Sequence, residues 1–321
     1  MENSLKDFYD GKRALVTGAD GFIGSHLTER LIDYGAHVFV YVHNENLKKI
    51  KNVKDKLKKI LVGDLSGKES TEAIFKSNPQ IIFHLAVDSY IPNSIQNPIR
   101  VNQINLGSTL NVLEASRLSI ENDLKRLVFI SSAVVYGSRN YAVSENEKFM
   151  PTTPYSASKV AGEAYCYSYF KTYNLPVAIA RPFNIYGPRH SKDVISIFIA
   201  KALKNEEIEI DGGGLQTKDF IYIDDIIDGL LILGFNKKAL GEAVNFGTGK
   251  EVSVKEIAEK IIRYSNSKSK MIISPERKGQ DFRLYCNYSK AQELFNWQPK
   301  ISIDEGLKKT IEWIKQNESF I

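Results

Sequence analysis

Cysteine is almost missing from this chain: Cys166 and Cys286 are the only two in 321 residues. Two thiols build neither a disulfide framework nor a CxxC metal site, and they suit a reducing, cytoplasmic setting. The five histidines are scattered without paired spacing, which argues against a metal centre. No apolar run comes near the ~18 residues that a membrane span needs. The opening stretch MENSLKDFYDGKR is polar and acidic, unlike a secretion signal. Charge of one sign is also scarce. The net charge is +5, and much of the excess sits in Leu47–Ile60. With no basic stripe interleaved with aromatics, that stretch reads as a solvated face and argues against nucleic acid as a partner. Internal repeats, low-complexity linkers and the GxSxG elbow of serine hydrolases are missing too.

What is present is ordinary globular composition, 43% hydrophobic and 25% charged. The length fits one large domain, or a main domain with a smaller partner. Short apolar runs at Arg13–Thr17, His37–Val42, Lys59–Val62, Gln80–Leu85, Arg126–Ser131 and Val177–Ala180 read as buried strands. Helical periodicity separates them at Ile23–Tyr34, Lys68–Ser77, Ile95–Leu118 and Tyr155–Tyr173. This alternation predicts an α/β fold: a doubly wound parallel sheet of Rossmann type, covered on both faces. After about residue 185 the rhythm breaks. Helices are expected near Val194–Leu203, Val252–Tyr264, Tyr288–Phe295 and Ile303–Lys315, in a smaller α/β C-terminal substrate lobe. The expected division is 1–185, with returning segments at about 224–250, for the dinucleotide-binding domain. The remainder, 186–223 and 251–321, makes the substrate-binding lobe.

The first chemical signal is Gly18-Ala-Asp20-Gly21-Phe22-Ile23-Gly24, which follows a strand and opens a helix. Gly18 permits a tight turn, Gly21 lets the backbone approach a pyrophosphate, and Gly24 allows close helix–strand packing. The helix N-terminus then offers N–H groups to the phosphates. The second strand runs out at Tyr41-Val42-His43-Asn44, without the acid that would hold a ribose 2′-hydroxyl. The cofactor is therefore NAD or NADP, with NADP favoured and His43 beside its 2′-phosphate. Asp64 stands where a carboxylate could accept from an adenine amino group, or could simply form a turn. His84, inside the apolar run Ile81–Ala86, reads as a buried structural residue.

Tyr155-Ser-Ala-Ser-Lys159 places a phenol and an ammonium one helical turn apart. The ammonium is expected to lower the phenol's pKa, so that Tyr155 can exchange a proton with a sugar hydroxyl near neutrality. Ser131 and Ser132 follow the Arg126–Ile130 strand, at the edge where doubly wound folds bind ligands. There Ser132 can hydrogen-bond the reacting oxygen and Tyr155.

These segments, GADGFIG, HLAV, SSAVVYG, PYSASK with Glu163, RPFNIYGPR and GGGLQTKDFIYIDD, resemble the extended short-chain dehydrogenase/reductases. More narrowly, they resemble the NAD(P)-dependent nucleotide-sugar epimerase/dehydratase family, and among its members the hexose 4-epimerases. The resemblance implies a catalytic set of Ser132, Tyr155 and Lys159. It implies cofactor contacts at Gly18–Gly24, Asp64, Leu65, Leu85, Ala86, Val87, Asn105, Ile130, Ser131 and Pro182, besides Tyr155 and Lys159. It implies nucleotide-sugar contacts at Ser132, Asn184, Val194, Ile195, Phe198, Lys218 and Arg277. A homodimer seamed by Ile95–Leu118 and Tyr155–Tyr173, with Tyr165 and Tyr169 at the seam, is implied as well. The family's dehydratases carry Asp or Glu where this chain has Ala133 and Val134, so elimination of water is not expected. The implied activity is 4-epimerisation of a nucleotide hexose through transient oxidation at C4. The alternative is NADPH-dependent reduction of a 4-keto-6-deoxy nucleotide sugar. Lys218 stands where the family has arginine, and Gly279-Gln280-Asp281 where it has Gly-Asp.

Overall fold

The computed structural model describes residues 2–275 and 282–317. The strands β1 (Arg13–Thr17), β2 (His37–Val42), β3 (Lys59–Val62), β4 (Ile81–His84), β5 (Arg126–Ile130) and β6 (Val177–Pro182), with Ala243–Phe246, form one sheet of seven. Every residue of β4, β5 and β6 is buried, as continuous apolar runs require when helices cover both faces. The spatial order is Ala243–Phe246, β6, β5, β4, β1, β2, β3. Strand order reverses between β1 and β4, which pair in parallel with Thr17 opposite His84. Their carboxyl ends therefore flank the crevice that this topology leaves open for ligands. The Rossmann fold expected from the sequence is the fold found.

The helices are α1 (Glu2–Tyr9), α2 (Phe22–Asp33), α3 (Glu69–Lys76), α4 (Ile91–Gln96), α5 (Pro98–Leu118) and α6 (Pro154–Tyr173). Val112 and Leu113 of α5 and Cys166 of α6 pack with Leu15, Ile82, Leu127, Phe129 and Ile179 of the sheet. Gly162 explains how α6 comes so close: a Cβ there would sit 2.7 Å from Phe129 Cζ. Gly162→Ala is accordingly expected to destabilise by about 1–3 kcal/mol, read as a lowered denaturation midpoint.

Two elements escaped the sequence reading. Helix α1 docks through Tyr9, fully buried, whose hydroxyl donates to Leu231 O at 2.8 Å. The lysine-rich stretch forms a 3-10 helix, Lys48–Lys56, that buries Ile50 and Val53 and leaves Lys48, Lys51, Lys54 and Lys56 exposed.

Residues 1–135, 149–181 and 227–244 form one compact unit, and 136–148, 182–226 and 245–321 a second. The second holds Val194–Leu203, Val254–Ser265, Ser289–Phe295 and Ile303–Gln316 as helices. Within the stretch at about 224–250 expected to return to the first domain, Ala243–Phe246 joins the sheet as a strand. Ile223–Phe235 is instead a helix, because its buried Ile226, Ile227, Leu230, Leu231 and Leu233 repeat at helical spacing.

Candidate active site

The glycine turn has the geometry its sequence demands. Gly18 takes a left-handed φ of +68°, and a Cβ on it would lie 2.9 Å from Ala86 Cα and N. Gly21 begins α2 as a cap with no side-chain acceptor; its carbonyl accepts the Ser25 N–H at 3.1 Å, and no side chain of the cap closes the helix N-terminus. Gly24 is buried, and a Cβ there would lie 2.8 Å from Ala19 Cα. Phe22 and Ile23, between the two glycines, are half-buried. Asp20 faces the other way: its carboxylate accepts the Lys49 N–H at 2.8 Å and ties the turn to the 3-10 helix after β2. That loop carries His43, exposed. Asp64, after β3, accepts both the N–H and the hydroxyl of Ser66, at 2.9 and 2.7 Å, and these bonds hold its carboxyl below the usual range. Leu65 next to it is buried.

Behind the Leu85-Ala86-Val87 turn lies a polar chain that the sequence reading passed over. The Thr17 hydroxyl accepts the N–H of Leu85 and of Ala86, each at 3.1 Å, and meets His84 Nδ1 at 2.9 Å. Having accepted twice, that hydroxyl donates to Nδ1, so Nε2 carries the imidazole proton toward Thr109 Oγ1 at 3.1 Å. Burial holds His84 neutral, its pKa pushed down to about 3. Thr109 donates to Asn105 O at 2.8 Å. The Asn105 amide accepts the Asp88 N–H at 2.8 Å and donates to Asp88 O at 3.2 Å and Ser158 Oγ at 3.1 Å. Ser158 closes the chain on Tyr155 O at 2.7 Å. His84 is thus structural, and Asn105 links the loop after β4 to the start of α6.

Helix α6 starts in a capping box: Thr153 Oγ1 accepts the Ser156 N–H at 3.1 Å, with Pro154 at the first position. This fixes Tyr155 and Lys159 in the first two turns, both buried. Ser132 starts the turn after β5, near enough to the Tyr155 phenol to oppose the rise of its pKa. Its neighbours Ala133 and Val134 form a single 3-10 turn and bring no acid to it. The Lys159 ammonium donates to Ile130 O at 2.6 Å. One expectation needs correcting. The Tyr155 phenol is pushed up to about 12, because burial outweighs the opposing influence of Ser132. Lys159 is itself pushed down to about 8 by burial.

The site also has an unsatisfied donor. Ser131, whose N–H is spent on Ala180 O at 2.8 Å, keeps its hydroxyl buried with no partner among the described residues. A buried hydroxyl without a partner suits a ligand that supplies one. With the glycine cradle and the open helix end, it fits a dinucleotide.

In the second unit, Pro182 ends β6 and Asn184 begins a short strand parallel to Phe220–Tyr222. Asn184 N and Nδ2 both donate to Asp219 O, at 3.0 and 3.3 Å, which sets the amide beside Lys218. Asp219 is fully buried, and its carboxylate accepts from the N–H groups of Thr248, Gly249 and Cys286. That anchor fixes the strand carrying Lys218, half-buried between Val252 and Leu284. Val194, Ile195 and Phe198 lie on the helix capped by Asp193, with Ile195 and Phe198 buried. Arg277 falls outside the described residues.

Comparison with known proteins agrees with this architecture. The model of the GDP-mannose 4,6-dehydratase family matches residues 15–310. The UDP-glucose 4-epimerase of Mycolicibacterium smegmatis is 33% identical, over 94% of this chain and 98% of its own. The human dTDP-D-glucose 4,6-dehydratase is 31% identical, over 95% and 91%. The crystal structure of Thermus thermophilus UDP-glucose 4-epimerase in complex with NAD superposes with a TM-score of 0.87 at 28% identity, covering 94% and 99%.

Proposed function

The chain belongs to the GDP-mannose 4,6-dehydratase family of extended short-chain dehydrogenase/reductases, and from that premise we propose that it is a 4-epimerase of a UDP-hexose. At the coarser level it is an NAD(P)-dependent enzyme that modifies nucleotide sugars. The observation that carries the finer reading is the Ser132, Tyr155, Lys159 set assembled beside Ala133 and Val134, which cannot exchange protons with a leaving hydroxyl.

The turn from Gly18 to Gly24 holds the pyrophosphate, Asp64 and Leu65 flank the adenine, and Lys159 and Ser131 meet the nicotinamide end. When bound, NAD(P) supplies reversible two-electron redox chemistry at the sugar's C4. The chain's own part is proton management. Ser132 orients O4 toward the phenol of Tyr155, and Tyr155 removes the O4 proton and later returns it. With burial holding the phenol high, Tyr155 needs positive charge close by, and Lys159, one helical turn away, is the cation that the protein supplies. The C4–H bond broken in the oxidation is remade after the oxidised sugar presents its other face, which inverts C4 as the proton returns to O4. Lys218 and Arg277 are the cations for the diphosphate, and Asn184 completes that subsite.

A second reading is supported by the missing acid after β2, where His43 stands. It is an NADPH-dependent reductase of a 4-keto-6-deoxy nucleotide sugar. Stoichiometry separates the two. The epimerase interconverts UDP-glucose and UDP-galactose with no net change in nicotinamide absorbance, whereas the reductase consumes one NADPH per product. Accumulation of a 4-keto-6-deoxy product from the hexose would overturn both.

The assembly proposed is a cytoplasmic homodimer seamed by α5 and α6. Tyr165 is exposed, and Tyr169 donates its hydroxyl to Glu114 of α5. Scattering-detected size measurement of a monomer at micromolar concentration contradicts the dimer.

A further inference from the structure

Lys159 is a buried cation, and the groups that face it are identifiable. On α6 these are Glu163 and Cys166, and on β4 His84, with the Phe129 ring of β5 5.1 Å from the ammonium. Arg181 on β6 reaches it through Glu163. Burial keeps the imidazole of His84 neutral and pushes the Cys166 thiol upward. The phenol of Tyr155 is neutral as well. The charge in this company is the Glu163 carboxylate, one helical turn beyond Lys159.

Glu163 is 4% exposed and Arg181 5%. Arg181 Nε donates to the two carboxylate oxygens at 2.9 and 3.1 Å, and Nη2 donates to Oε2 at 2.6 Å. This fork fixes the carboxylate in one orientation and compensates its lost hydration. The guanidinium is in turn steadied by the Phe149 ring, 4.8 Å from its centroid. A buried ion pair seldom stabilises a fold more than apolar packing of the same volume would. Its place one helical turn from the Lys159 ammonium calls for a functional account.

We propose that Glu163, clamped by Arg181, is a positioning residue of the reaction: its carboxylate keeps Lys159 in the ammonium form against Ile130 O and beside Tyr155. The proposal rests on Ser132, Tyr155 and Lys159 being the catalytic set. Burial drives Lys159 toward the neutral amine, and Glu163 is the largest influence in the other direction. The ammonium is populated below its midpoint and lost as pH rises through it. Replacing Glu163 by glutamine removes the stabilising charge and leaves the Arg181 cation in place. Both changes move the midpoint down.

The test is a pH titration of the Lys159 side-chain resonance in the full-length protein, isotope-labelled at lysine and free of cofactor. The resonance is assigned by its loss in Lys159→Arg. The expected midpoint is about 8 in the unaltered protein. In Glu163→Gln it falls by about one unit or more, and in Glu163→Asp, which keeps the charge, by less than about half a unit. The alkaline limb of turnover moves by the same amount. A folded Glu163→Gln whose midpoint stays within about 0.3 units overturns the proposal. Where the single variant does not fold, the double variant Glu163→Gln, Arg181→Gln removes both members of the buried ion pair, and its midpoint must still fall. The titration uses no sugar, so the two readings fail separately. A shifted midpoint in a protein that epimerises nothing defeats the 4-epimerase reading alone. An unshifted midpoint in an active epimerase defeats this proposal alone.

Discussion

Tyr155→Phe is expected to slow epimerisation by about 10³-fold, within the range a single acid–base group contributes. Affinity for the nucleotide sugar should stay within about threefold, because the lost hydroxyl acts on the proton and not on the diphosphate. The change deletes one oxygen and keeps the ring, so the capping box of α6 and the Ser158 bond to the residue 155 carbonyl survive. A near-native melting curve is therefore part of the expectation. A smaller defect of about 10-fold to 10²-fold is expected for Ser132→Ala, which keeps the phenol. Full turnover by Tyr155→Phe would remove the phenol from the mechanism.

Gly24→Ala is the second large effect. A Cβ at this position meets backbone on the far side, at Ala19 Cα and at the carbonyl of Gly18. Neither atom can swing away as a flexible side chain would, so the turn must open. Strain of about 3 kcal/mol, set against the dinucleotide-bound turn, corresponds to about 10²-fold in cofactor affinity. Titration of the variant with NAD and NADP reads it directly. Gly18→Ala adds a left-handed φ to a clash with Ala86 and should be at least as damaging. Affinity unchanged in both variants would mean that the pyrophosphate lies elsewhere.

Much of this was legible in the sequence because the signals were local. The six strands from Arg13 to Pro182 are short apolar runs between turns, and a glycine turn after the first of them places the helix that follows. Tyr155 and Lys159 share a helix face by spacing alone. Long-range effects were not legible. The expected fall in the phenol's pKa assumed a solvated pair, yet burial of both groups decides the outcome. The chain from Thr17 through His84, Thr109 and Asn105 to Ser158 joins β1, β4, α5 and α6, and no spacing rule reaches across those separations. Glu163, four residues after Lys159, did carry a signal in its i, i+4 spacing, whereas its partner Arg181 sits on another element. Helix α1 is short and polar apart from Leu5, Phe8 and Tyr9, and only its docking shows why it is helical.

The most direct test of the central claim follows the hydrogen at C4. Purified protein is given UDP-glucose carrying deuterium at C4, and the products are read by mass spectrometry and proton resonance. The account predicts UDP-galactose that keeps its deuterium at C4, formed without net consumption of nicotinamide. Galactose product with the label washed out, or a product that has lost water, would contradict it.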